Sequence, residues 1–565
     1  MKASRFITLV LTGLLLRCLP IHAQKWGNHT LYATQNGTNA FIIDTLGAIT
    51  HSWTFPSTAK TGYSTYLLQG GTLVRTVART GNSFNGGPIC GQVQKVDWNG
   101  NVIWDYVYST TTYCSHHDIC PLPNGNVLLI AYESKSPTEV SAAGCTQNIT
   151  MWPDKIVEVM PTGATTGSVV WEWHAWDHLM QNVDPNKANY VSSLVAHPEL
   201  LNINYGTQKD WMHMNGLGYN PVLDQITFSS HNLNEIYVID HSTTMAEAAG
   251  HSGGLAGKGG DILYRYGNPA AYGATGTAVI NVVHDAHWVP EGVPNAGYLS
   301  GFINRGVSNT QSSVDQVSPP LSGYNYTITP GSAYTPSNYT LRHPCNGYTS
   351  NQGNAQQLPN GNMLVCMAFL GTVYEINPAG TTIWTKSIGG TLVHAYRHND
   401  CYVTTTAPAL PTISESAGVL MSTQGVTYQW YKNGAAVAGA TSQTYAPGQA
   451  GKYLVRITDA NGCDYYYSKT YAYSSTDVNT GISKVNLDNY LNVYPNPASD
   501  LLHIDLNGLS TEGFEVQLFD LTGKMYFTGH NRSSINTEEM PAGLYILTVK
   551  TDEGLSVNKK ITILK

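Results

Sequence analysis

The sequence predicts an all-β protein, and its composition and turn pattern are the observations that support this class. Glycine (55), tyrosine (36) and tryptophan (12) are abundant among the 565 residues, whereas charged residues make up only 12%. Stretches with helical periodicity are scarce, and short apolar runs separated by turn residues are frequent. A chain of this length is too long for one hydrophobic core, so several β-domains are expected.

A repeated unit fills residues 24–402. Its clearest copies begin at Leu122 and Leu358, where Asn-Gly between apolar runs indicates a hairpin turn. Each unit has room for four strands and ends on a strand that carries a tryptophan, as at Trp104, Trp171 and Trp384. Units of this kind, roughly 40–70 residues long, are typical of a β-propeller.

Six such units are expected. The first is predicted over residues 66–108 and the fourth over residues 284–329. The sixth begins at His394 and is completed by N-terminal strands within residues 31–55, so the two chain ends close the ring and leave no open edge. The prediction for this part of the chain is therefore a six-bladed β-propeller.

The N-terminus predicts a signal peptide over residues 1–23. Lys2 and Arg5 supply positive charge, residues 7–16 are apolar, and Ala23 ends an acceptable cleavage site. The apolar run is too short to span a membrane, and no other membrane span is expected. Exported proteins can form disulfides, and the eight remaining cysteines are even in number.

Two smaller β-domains are expected after the repeats. Residues 403–473 predict an immunoglobulin-like sandwich with Trp430 in its core; no earlier cysteine pairs with Cys463, which is therefore either free or paired outside the domain. A linker over residues 474–487 leads to a small β-sandwich over residues 488–565.

This last domain resembles the C-terminal sorting domain of the bacterial type IX secretion system. The resemblance rests on motifs that occur in the family's order: Asn492-Val-Tyr-Pro-Asn-Pro, Val516-Gln-Leu-Phe-Asp-Leu-Thr-Gly-Lys, Met540-Pro-Ala-Gly-Leu-Tyr and the closing Lys559–Lys565 strand. It implies a Gram-negative bacterium of the Bacteroidota. It also implies export through the periplasm and outer membrane by the type IX machinery, to the cell surface or the medium. The net charge of −8, with no basic cluster, argues against nucleic acid as a partner.

The repeat predicts that several histidines meet. His117 lies five residues before Leu122, and His284 holds the same place in the fourth unit. His213 is near the equivalent position of the third unit, and His394 opens the sixth. These positions begin innermost strands, so the four side chains are expected at one end of the central channel.

Strand periodicity makes a further prediction about these histidines. Residues two apart on an extended strand share a face. His213 and Asn215 are therefore expected to point the same way, whereas His284 and His287 are expected to point in opposite directions.

The repeated region also resembles the arylsulfate sulfotransferase family, bacterial enzymes that need no nucleotide donor. The resemblance rests on five segments: Trp211-Met-His-Met-Asn, His284-Asp-Ala-His-Trp, Ser229-Ser-His-Asn, Gly297-Tyr-Leu-Ser-Gly-Phe-Ile-Asn-Arg and Val170-Trp-Glu-Trp-His-Ala-Trp-Asp-His. It implies a six-bladed propeller in which a histidine is transiently sulfated, with an aryl sulfate as donor, a phenol as acceptor and no cofactor or metal.

The resemblance assigns roles by motif position. His284 matches the nucleophile, His213 and Asn215 match the groups that hold the sulfuryl group, and His117 matches a further catalytic histidine of the channel. His213 and His117 are expected to stabilise charge on the sulfuryl oxygens or to protonate the leaving phenolate. His394 is a further candidate for substrate binding.

One position departs from the family pattern. The family has an arginine directly after the Ser-Ser pair, where it contacts the sulfuryl group, and this chain has His231. A protonated His231 could replace it, or Arg305 could reach the site from the fourth unit.

Two other functions remain open at this stage. Converging histidines, joined by His116 and Asp118, could hold zinc or copper. Cys114 and Cys120 flank this segment, but their spacing matches no zinc motif, so a disulfide or two free thiols are expected. The propeller could also be a catalytically diverged module that binds glycans or proteins at the cell surface, because fold alone decides no function.

Overall fold

The computed structural model describes residues 26–404, 409–458, 465–474, 491–506, 513–551 and 556–565. The expected signal peptide, Cys463 and all but the first residue of the expected linker lie outside these residues. The protein is all-β, as predicted, and forms two compact units. One contains Met1–Ser414, Leu420–Tyr445 and Ala450–Tyr473, and the other contains Glu415–Val419, Ala446–Gln449 and Ser474–Lys565.

Residues 26–404 contain six four-stranded antiparallel sheets, here called sheets one to six. The chain opens with three strands of sheet six, which are β1 (His29–Thr34), β2 (Asn39–Ile43) and β3 (Ile49–Thr54). Sheet one contains β4 (Thr61–Leu67), β5 (Leu73–Ala78), β6 (Gly91–Val96) and β7 (Val102–Val107). Sheet two contains β8 (Tyr113–Pro121), β9 (Val127–Glu133), β10 (Asp154–Pro161) and β11 (Gly167–His174).

The remaining sheets follow in chain order, with short paired strands in their connections. After the pair β12 (Leu179–Met180) and β13 (Leu201–Asn202), sheet three contains β14 (Met214–Asn220), β15 (Gln225–Ser230), β16 (Glu235–Asp240) and β17 (Tyr264–Tyr266). Sheet four contains β18 (Val283–Trp288), β19 (Leu299–Ser308), β20 (Gln311–Val317) and, after the pair β21 (Leu321–Ser322) and β22 (Asn325–Tyr326), β23 (Leu341–Pro344). Sheet five contains β24 (Asn354–Gln357), β25 (Met363–Met367), β26 (Thr372–Ile376) and β27 (Thr382–Ser387), and β28 (Leu392–His398) completes sheet six by pairing with β1.

Two expected boundaries were wrong. Sheet one begins at Thr61 rather than at residue 66, and sheet four takes its last strand from β23, beyond the expected end at residue 329. The second error arises because the chain leaves the sheet after Val317, forms the separate β21–β22 pair and only then returns. A strand after so long an excursion carries no local repeat signal.

The tryptophans of the outermost strands join consecutive sheets. Each indole nitrogen donates a hydrogen bond to the next sheet or its connection. These bonds run from Trp53 to Asp97 O (2.8 Å), from Trp104 to Thr166 O (3.0 Å), from Trp171 to Thr243 Oγ1 (3.0 Å) and from Trp384 to Thr45 O (2.9 Å).

Polar side chains also join the innermost strands of neighbouring sheets through backbone groups. Because a buried backbone group needs a partner, these bonds fix the sheets against one another. They run from Leu217 N to Asp118 (3.1 Å), from Asn215 to Val283 O (2.7 Å), from Ala355 N to Asp285 (3.0 Å) and from Ala395 N to Asn354 (3.0 Å).

Two short helices lie in the connections. They are α1 (Pro137–Ala142) and α2 (Met245–Ala248), and each begins with a capping box, from Ser136 and Thr244 respectively. Among the described residues, no helix is both long and apolar enough to cross a membrane.

Residues 409–458 and 465–473 form two further sheets around a buried Trp430. One sheet contains β29 (Ile413–Ser416), β30 (Val419–Ser422) and β33 (Thr444–Tyr445). The other contains β31 (Thr427–Lys432), β32 (Ala435–Ala436), β34 (Gly451–Thr458), β35 (Tyr465–Tyr467) and β36 (Tyr471–Tyr473).

The C-terminal region forms two sheets around an apolar core of its own. One contains β37 (Leu491–Tyr494), β38 (Leu501–Leu506) and β41 (Ser534–Asn536). The other contains β39 (Phe514–Asp520), β40 (Met525–His530), β42 (Gly543–Thr551) and β43 (Ser556–Ile563).

The cysteines of the described residues are mostly free thiols. Cys114 and Cys120 are both free, which decides between the two expected states of that pair. Cys401 is disulfide-bonded. The other free thiols are Cys90, Cys145, Cys345 and Cys366.

Candidate active site

Four histidines from three sheets form a continuous chain of ring contacts. The ring centres of His117 and His213 lie 4.5 Å apart, those of His213 and His231 5.1 Å apart, and those of His231 and His284 5.6 Å apart. His117 thus comes from sheet two, His213 and His231 come from sheet three, and His284 comes from sheet four. The predicted convergence of His117, His213 and His284 is confirmed by this geometry.

Left-handed backbone conformations position these side chains. His117, His213 and Asp285 have φ values of 46°, 54° and 56°, and each lies at or beside a break in strand register. Such conformations are rare away from glycine and concentrate at functional sites. They also remove the basis of one expectation: His213 precedes β14 rather than lying within it, so strand alternation does not relate the direction of its side chain to that of Asn215, and their common direction stays a prediction.

A narrow pocket lies beside this chain of histidines. Its walls are formed by Tyr63, His117, Asp118, Asn215, His284, Asp285, Gln352, Gly353, Val393 and His394. The pocket therefore contains four of the predicted site residues, one from each of sheets two, three, four and six.

Asn304 fixes the tautomer of His284. The amide nitrogen of Asn304 donates to the carbonyl oxygens of Thr349 (2.8 Å) and Gln352 (2.9 Å), so its Oδ1 must be the acceptor. This Oδ1 lies 2.6 Å from His284 Nδ1, which must therefore carry a proton. In neutral His284 the lone pair is then on Nε2.

Burial favours the neutral form of His284 and His117. Burial lowers the pKa of His284 well below its ordinary value, and the nearby His231 and His213 lower it further. Burial likewise lowers the pKa of His117, with neighbouring histidines adding to the effect. A neutral imidazole is the form that can act as a nucleophile or a base.

His117 is connected to a buried carboxyl group. His117 Nδ1 lies 2.8 Å from His116 Nδ1, and His116 Nε2 lies 2.9 Å from Asp154 Oδ1. Burial lowers the pKa of His116 to about 3 and raises the pKa of Asp154 well above its ordinary value. The other oxygen of Asp154 accepts a hydrogen bond from Met214 N at 2.9 Å. Asp154, His116 and His117 are called the relay below.

His213 has a carboxylate partner of its own. Its Nδ1 lies 2.6 Å from Asp210 Oδ2, which also accepts a hydrogen bond from the Tyr132 hydroxyl at 3.0 Å. Burial opposes the charge on Asp210, but His213 and Tyr132 outweigh it and lower the pKa of this carboxyl. The ionised Asp210 is an acceptor for the Nδ1–H of His213.

Asn215 and His394 complete the wall of the pocket. The Asn215 amide donates to Val283 O at 2.7 Å and accepts from Ser229 Oγ at 2.7 Å, which leaves one N–H for a ligand. His394 is buried, and its Nδ1 has no hydrogen-bond partner among the described residues.

Comparison with known families decides the assignment of this region. The family model described as arylsulfotransferase (ASST) matches residues 20–400, about two thirds of the chain. The chain belongs to the arylsulfotransferase family. The model of the secretion system C-terminal sorting domain matches residues 492–564, so the tail directs export to the cell surface or the medium and implies an interaction with the secretion machinery.

Other comparisons found more distant similarity. The search of curated proteins gave no match. Among solved structures, a protein of unknown function from Bacteroides caccae is 10% identical with a TM-score of 0.38, and the match covers 65% of this chain and 98% of that chain. A periplasmic gluconolactonase from Pseudomonas aeruginosa is 12% identical with a TM-score of 0.33, over 65% of this chain and 98% of that chain.

His231 occupies the position at which the resemblance to arylsulfotransferases implies an arginine. It lies between His213 and His284, so a side chain at this position does reach the histidine chain. Burial and the nearby His213 lower the pKa of His231, which disfavours the protonated form that was expected to replace the arginine. Arg305 is exposed and is not part of the pocket wall; its neighbour Asn304 points inward instead.

Four further residues of the site were not predicted from the sequence. Asn304 lies inside a quoted motif but carried no role, and Asp210 stands three residues before His213. The sequence suggested a role for His116 only as a metal ligand, and no sequence motif around Asp154 indicates a role in the site. Each role depends on a hydrogen bond to another side chain, and the sequence separation of the two partners is 20 residues for Asn304, 3 for Asp210, 1 for His116 and 38 for Asp154. Strand periodicity does not reveal such pairs.

The channel histidines do not form a compact metal site among the described residues. The group whose ligand atoms all lie within 4.8 Å of one another consists of His178, His251 and Asp261, outside the pocket wall. The tautomer imposed on His284 leaves a lone pair on Nε2 that can act as a nucleophile.

Proposed function

We propose that this arylsulfotransferase-family protein moves a sulfuryl group from an aryl sulfate to a phenol through a sulfated His284. The observation that carries the proposal is the hydrogen bond between His284 Nδ1 and Asn304, because it leaves the Nε2 lone pair available to attack. The six sheets are, in this proposal, the blades of a six-bladed propeller whose channel holds the site.

In the first step, His284 Nε2 attacks the sulfur of the aryl sulfate. The new N–S bond forms as the S–O bond to the aryl group breaks, and the phenolate leaves with the electron pair. The sulfated imidazole carries a positive charge, and the proton that it keeps on Nδ1 remains bonded to Asn304. Splitting the transfer into two displacements is covalent catalysis.

The relay supplies a proton to the leaving group. With the proton on Asp154, the bonds run from Asp154 to His116 and from His116 to His117, so His117 presents Nε2–H to the pocket. When this proton passes to the phenolate oxygen, the proton on His116 Nδ1 moves to His117 Nδ1, and the proton on Asp154 moves to His116 Nε2. Asp154 becomes ionised, and His117 then presents a lone pair that can take the proton of the incoming phenol.

Two groups are proposed to hold the sulfuryl oxygens. Asn215 supplies its remaining N–H, and His213 supplies Nε2–H when both of its ring nitrogens carry protons, because Asp210 accepts the Nδ1–H. Neutral His231 supplies no donor, because its single N–H is directed to Asn232 Oδ1, whose amide nitrogen donates to Asp210 O; the arginine that the family resemblance implies would supply several donors. Each positioned donor of this kind contributes about 3–4 kcal/mol to transition-state stabilisation in other enzymes.

The other domains are proposed to serve export and display. We propose a signal peptide at residues 1–23, an immunoglobulin-like domain at residues 403–473, a linker at 474–487 and a sorting domain at 488–565. Trp430 at the centre of two sheets supports the second assignment, and the match at residues 492–564 supports the last.

Initial-rate kinetics test the proposed function. With 4-nitrophenyl sulfate as donor and phenol as acceptor, a covalent intermediate predicts parallel lines in double-reciprocal plots, and His284→Asn should have no activity. Intersecting lines would show direct transfer within a ternary complex. No turnover by the wild-type protein with any aryl sulfate, together with glycan or protein binding that survives His284→Asn, would favour the binding-module function.

A further inference from the structure

We propose that His178, His251 and Asp261 form a binding site for a divalent transition-metal cation, separate from the channel. His178 Nδ1 lies 2.9 Å from Asp261 Oδ1, and His251 Nδ1 lies 2.7 Å from the same oxygen. The three ligand atoms all lie within 4.8 Å of one another. Two imidazole nitrogens and one carboxylate oxygen are a common ligand set for zinc.

The hydrogen bonds of His178 favour a cation between these groups. His178 Nε2 lies 2.9 Å from Ala248 O, and a carbonyl oxygen can only accept, so Nε2 carries the proton. In neutral His178 the lone pair is then on Nδ1, facing a carboxylate oxygen. Two acceptors at this distance need a cation between them, either an extra proton or a metal ion. Metal-bound histidines commonly donate their second ring N–H to a backbone carbonyl in this way.

The local backbone is built for this contact. A Cβ atom on Gly260 would lie 1.9 Å from Ala248 O and 2.6 Å from His178 Nε2, so only glycine permits the approach. Trp173 donates from Nε1 to Gly260 O, and its ring is parallel to His178 with centres 5.6 Å apart. The orientation of the His178 ring is therefore fixed before any ion binds.

The exposure of the three ligands leaves a path for the ion. His178 and Asp261 are buried, whereas the side chain of His251 is 62% exposed. An ion could enter from solvent and keep water at its remaining positions. Metal–ligand distances of about 2.0–2.1 Å require each histidine Nδ1 to move away from Asp261 Oδ1 by only a few tenths of an ångström. Nitrogen ligands favour zinc, cobalt, nickel or copper over magnesium and calcium.

Binding is expected to stabilise the fold. His178 follows β11 of sheet two, whereas His251 and Asp261 lie between β16 and β17 of sheet three. The ion would therefore link two neighbouring sheets, and an ion that binds only the folded state raises the unfolding temperature.

Metal titration of the full chain tests this proposal. After treatment with EDTA, Zn²⁺ is added and followed by calorimetry and thermal unfolding, and Co²⁺ is added to record its visible spectrum. We compare the wild type with His251→Gln, whose exposed position makes misfolding improbable, and with Asp261→Asn. His197→Gln is the matched control, because His197 is also exposed and also lies 3.0 Å from a carboxylate, that of Glu199.

The expected result is one Zn²⁺ per chain at this site, with affinity at least tenfold lower in His251→Gln and unchanged in His197→Gln. The Zn²⁺-induced rise in unfolding temperature should be lost in both site variants. Equal Zn²⁺ affinity in the wild type and His251→Gln would overturn the proposal, as would no binding to the wild type, which would identify the cation as a proton. Both results are independent of sulfuryl transfer.

Discussion

His284 Nδ1 and Asn304 Oδ1 lie 2.6 Å apart, and the remaining hydrogen bonds of Asn304 leave that oxygen no role except acceptor. The amide is buried and is held by the carbonyls of Thr349 and Gln352 in the connection between β23 and β24. The consequence is that His284 is fixed in the tautomer that a nucleophile at Nε2 requires. Asn304 is thus a positioning residue that acts through His284.

Replacing Asn304 with alanine should slow the chemical step. Without the acceptor, His284 can adopt the other tautomer, so kcat should fall by about 10²–10⁴-fold with little change in KM for the donor. Steady-state kinetics with 4-nitrophenyl sulfate measure both constants. The matched control is Asn362→Ala, which removes another fully buried asparagine amide, bonded to Glu375 in sheet five. Equal losses of kcat in both variants would mean that Asn304 has only a structural role.

Replacing Asp154 with asparagine should interrupt proton delivery. The amide cannot release the proton that the relay passes to the leaving group, so the loss should depend on the leaving phenol. A donor with a poor leaving group, such as phenyl sulfate, should lose at least tenfold more activity than 4-nitrophenyl sulfate. Rates for a series of aryl sulfates give this comparison. A loss that is uniform across the series would exclude the relay as the proton donor.

His231 should limit the affinity of the site for the sulfuryl group. Its neutral ring donates its single N–H to Asn232 Oδ1, whereas an arginine offers a permanent charge and several donors. His231→Arg should therefore raise kcat/KM for aryl sulfates by about tenfold, and His231→Ala should change it by much less. If neither substitution changes kcat/KM, then residue 231 does not contact the sulfuryl group during transfer.

Buried histidines should make stability depend on pH in both directions. Burial lowers the folded-state pKa of His116 and His398 to about 3, so their contribution is complete above the unfolded-state value of 6.5 and is lost as pH falls below it. Burial opposes charge on His174 and His241 as well, but flanking carboxylates outweigh it and raise the pKa of each to about 9. Their contribution is complete below pH 6.5 and is lost as pH rises towards 9.

Urea unfolding at pH 5, 6.5 and 9 checks this prediction. These four histidines place the maximum of the unfolding free energy near pH 6.5, with a slope of up to about 1.4 kcal/mol per pH unit for each group on either side. His241→Gln should flatten the alkaline side alone. An unchanged alkaline slope in this variant would contradict the assignment of the charge to His241, which lies between Asp224 and Glu158.

Much of the architecture could be predicted from the sequence because its signals are local and repeated. Asn-Gly turns and strand tryptophans recur along the chain, and they predicted sheets at nearly all the observed places. Strand β23 was missed because the chain returns to sheet four only after it forms the separate β21–β22 pair. A sequence repeat predicts the strands that all units share, but it does not predict a segment that is inserted into one unit.

The site could be predicted in part for the same reason. His117 and His284 hold equivalent positions in their units, so the repeat alone brings them together. The expected relation between His213 and Asn215 cannot rest on strand alternation, because His213 has a left-handed backbone and lies outside β14. Asn304 and Asp154 could not be predicted, because their roles arise only when separate strands are packed side by side.

The most direct test of the central claim is to look for the sulfated histidine itself. The protein is mixed with an aryl sulfate and no acceptor, digested at neutral pH and analysed by mass spectrometry. The account predicts one SO₃ group on the peptide that contains His284, its loss on addition of phenol, and its absence in His284→Asn. Turnover without any sulfated His284, or a sulfuryl group carried by a different residue, would contradict the account.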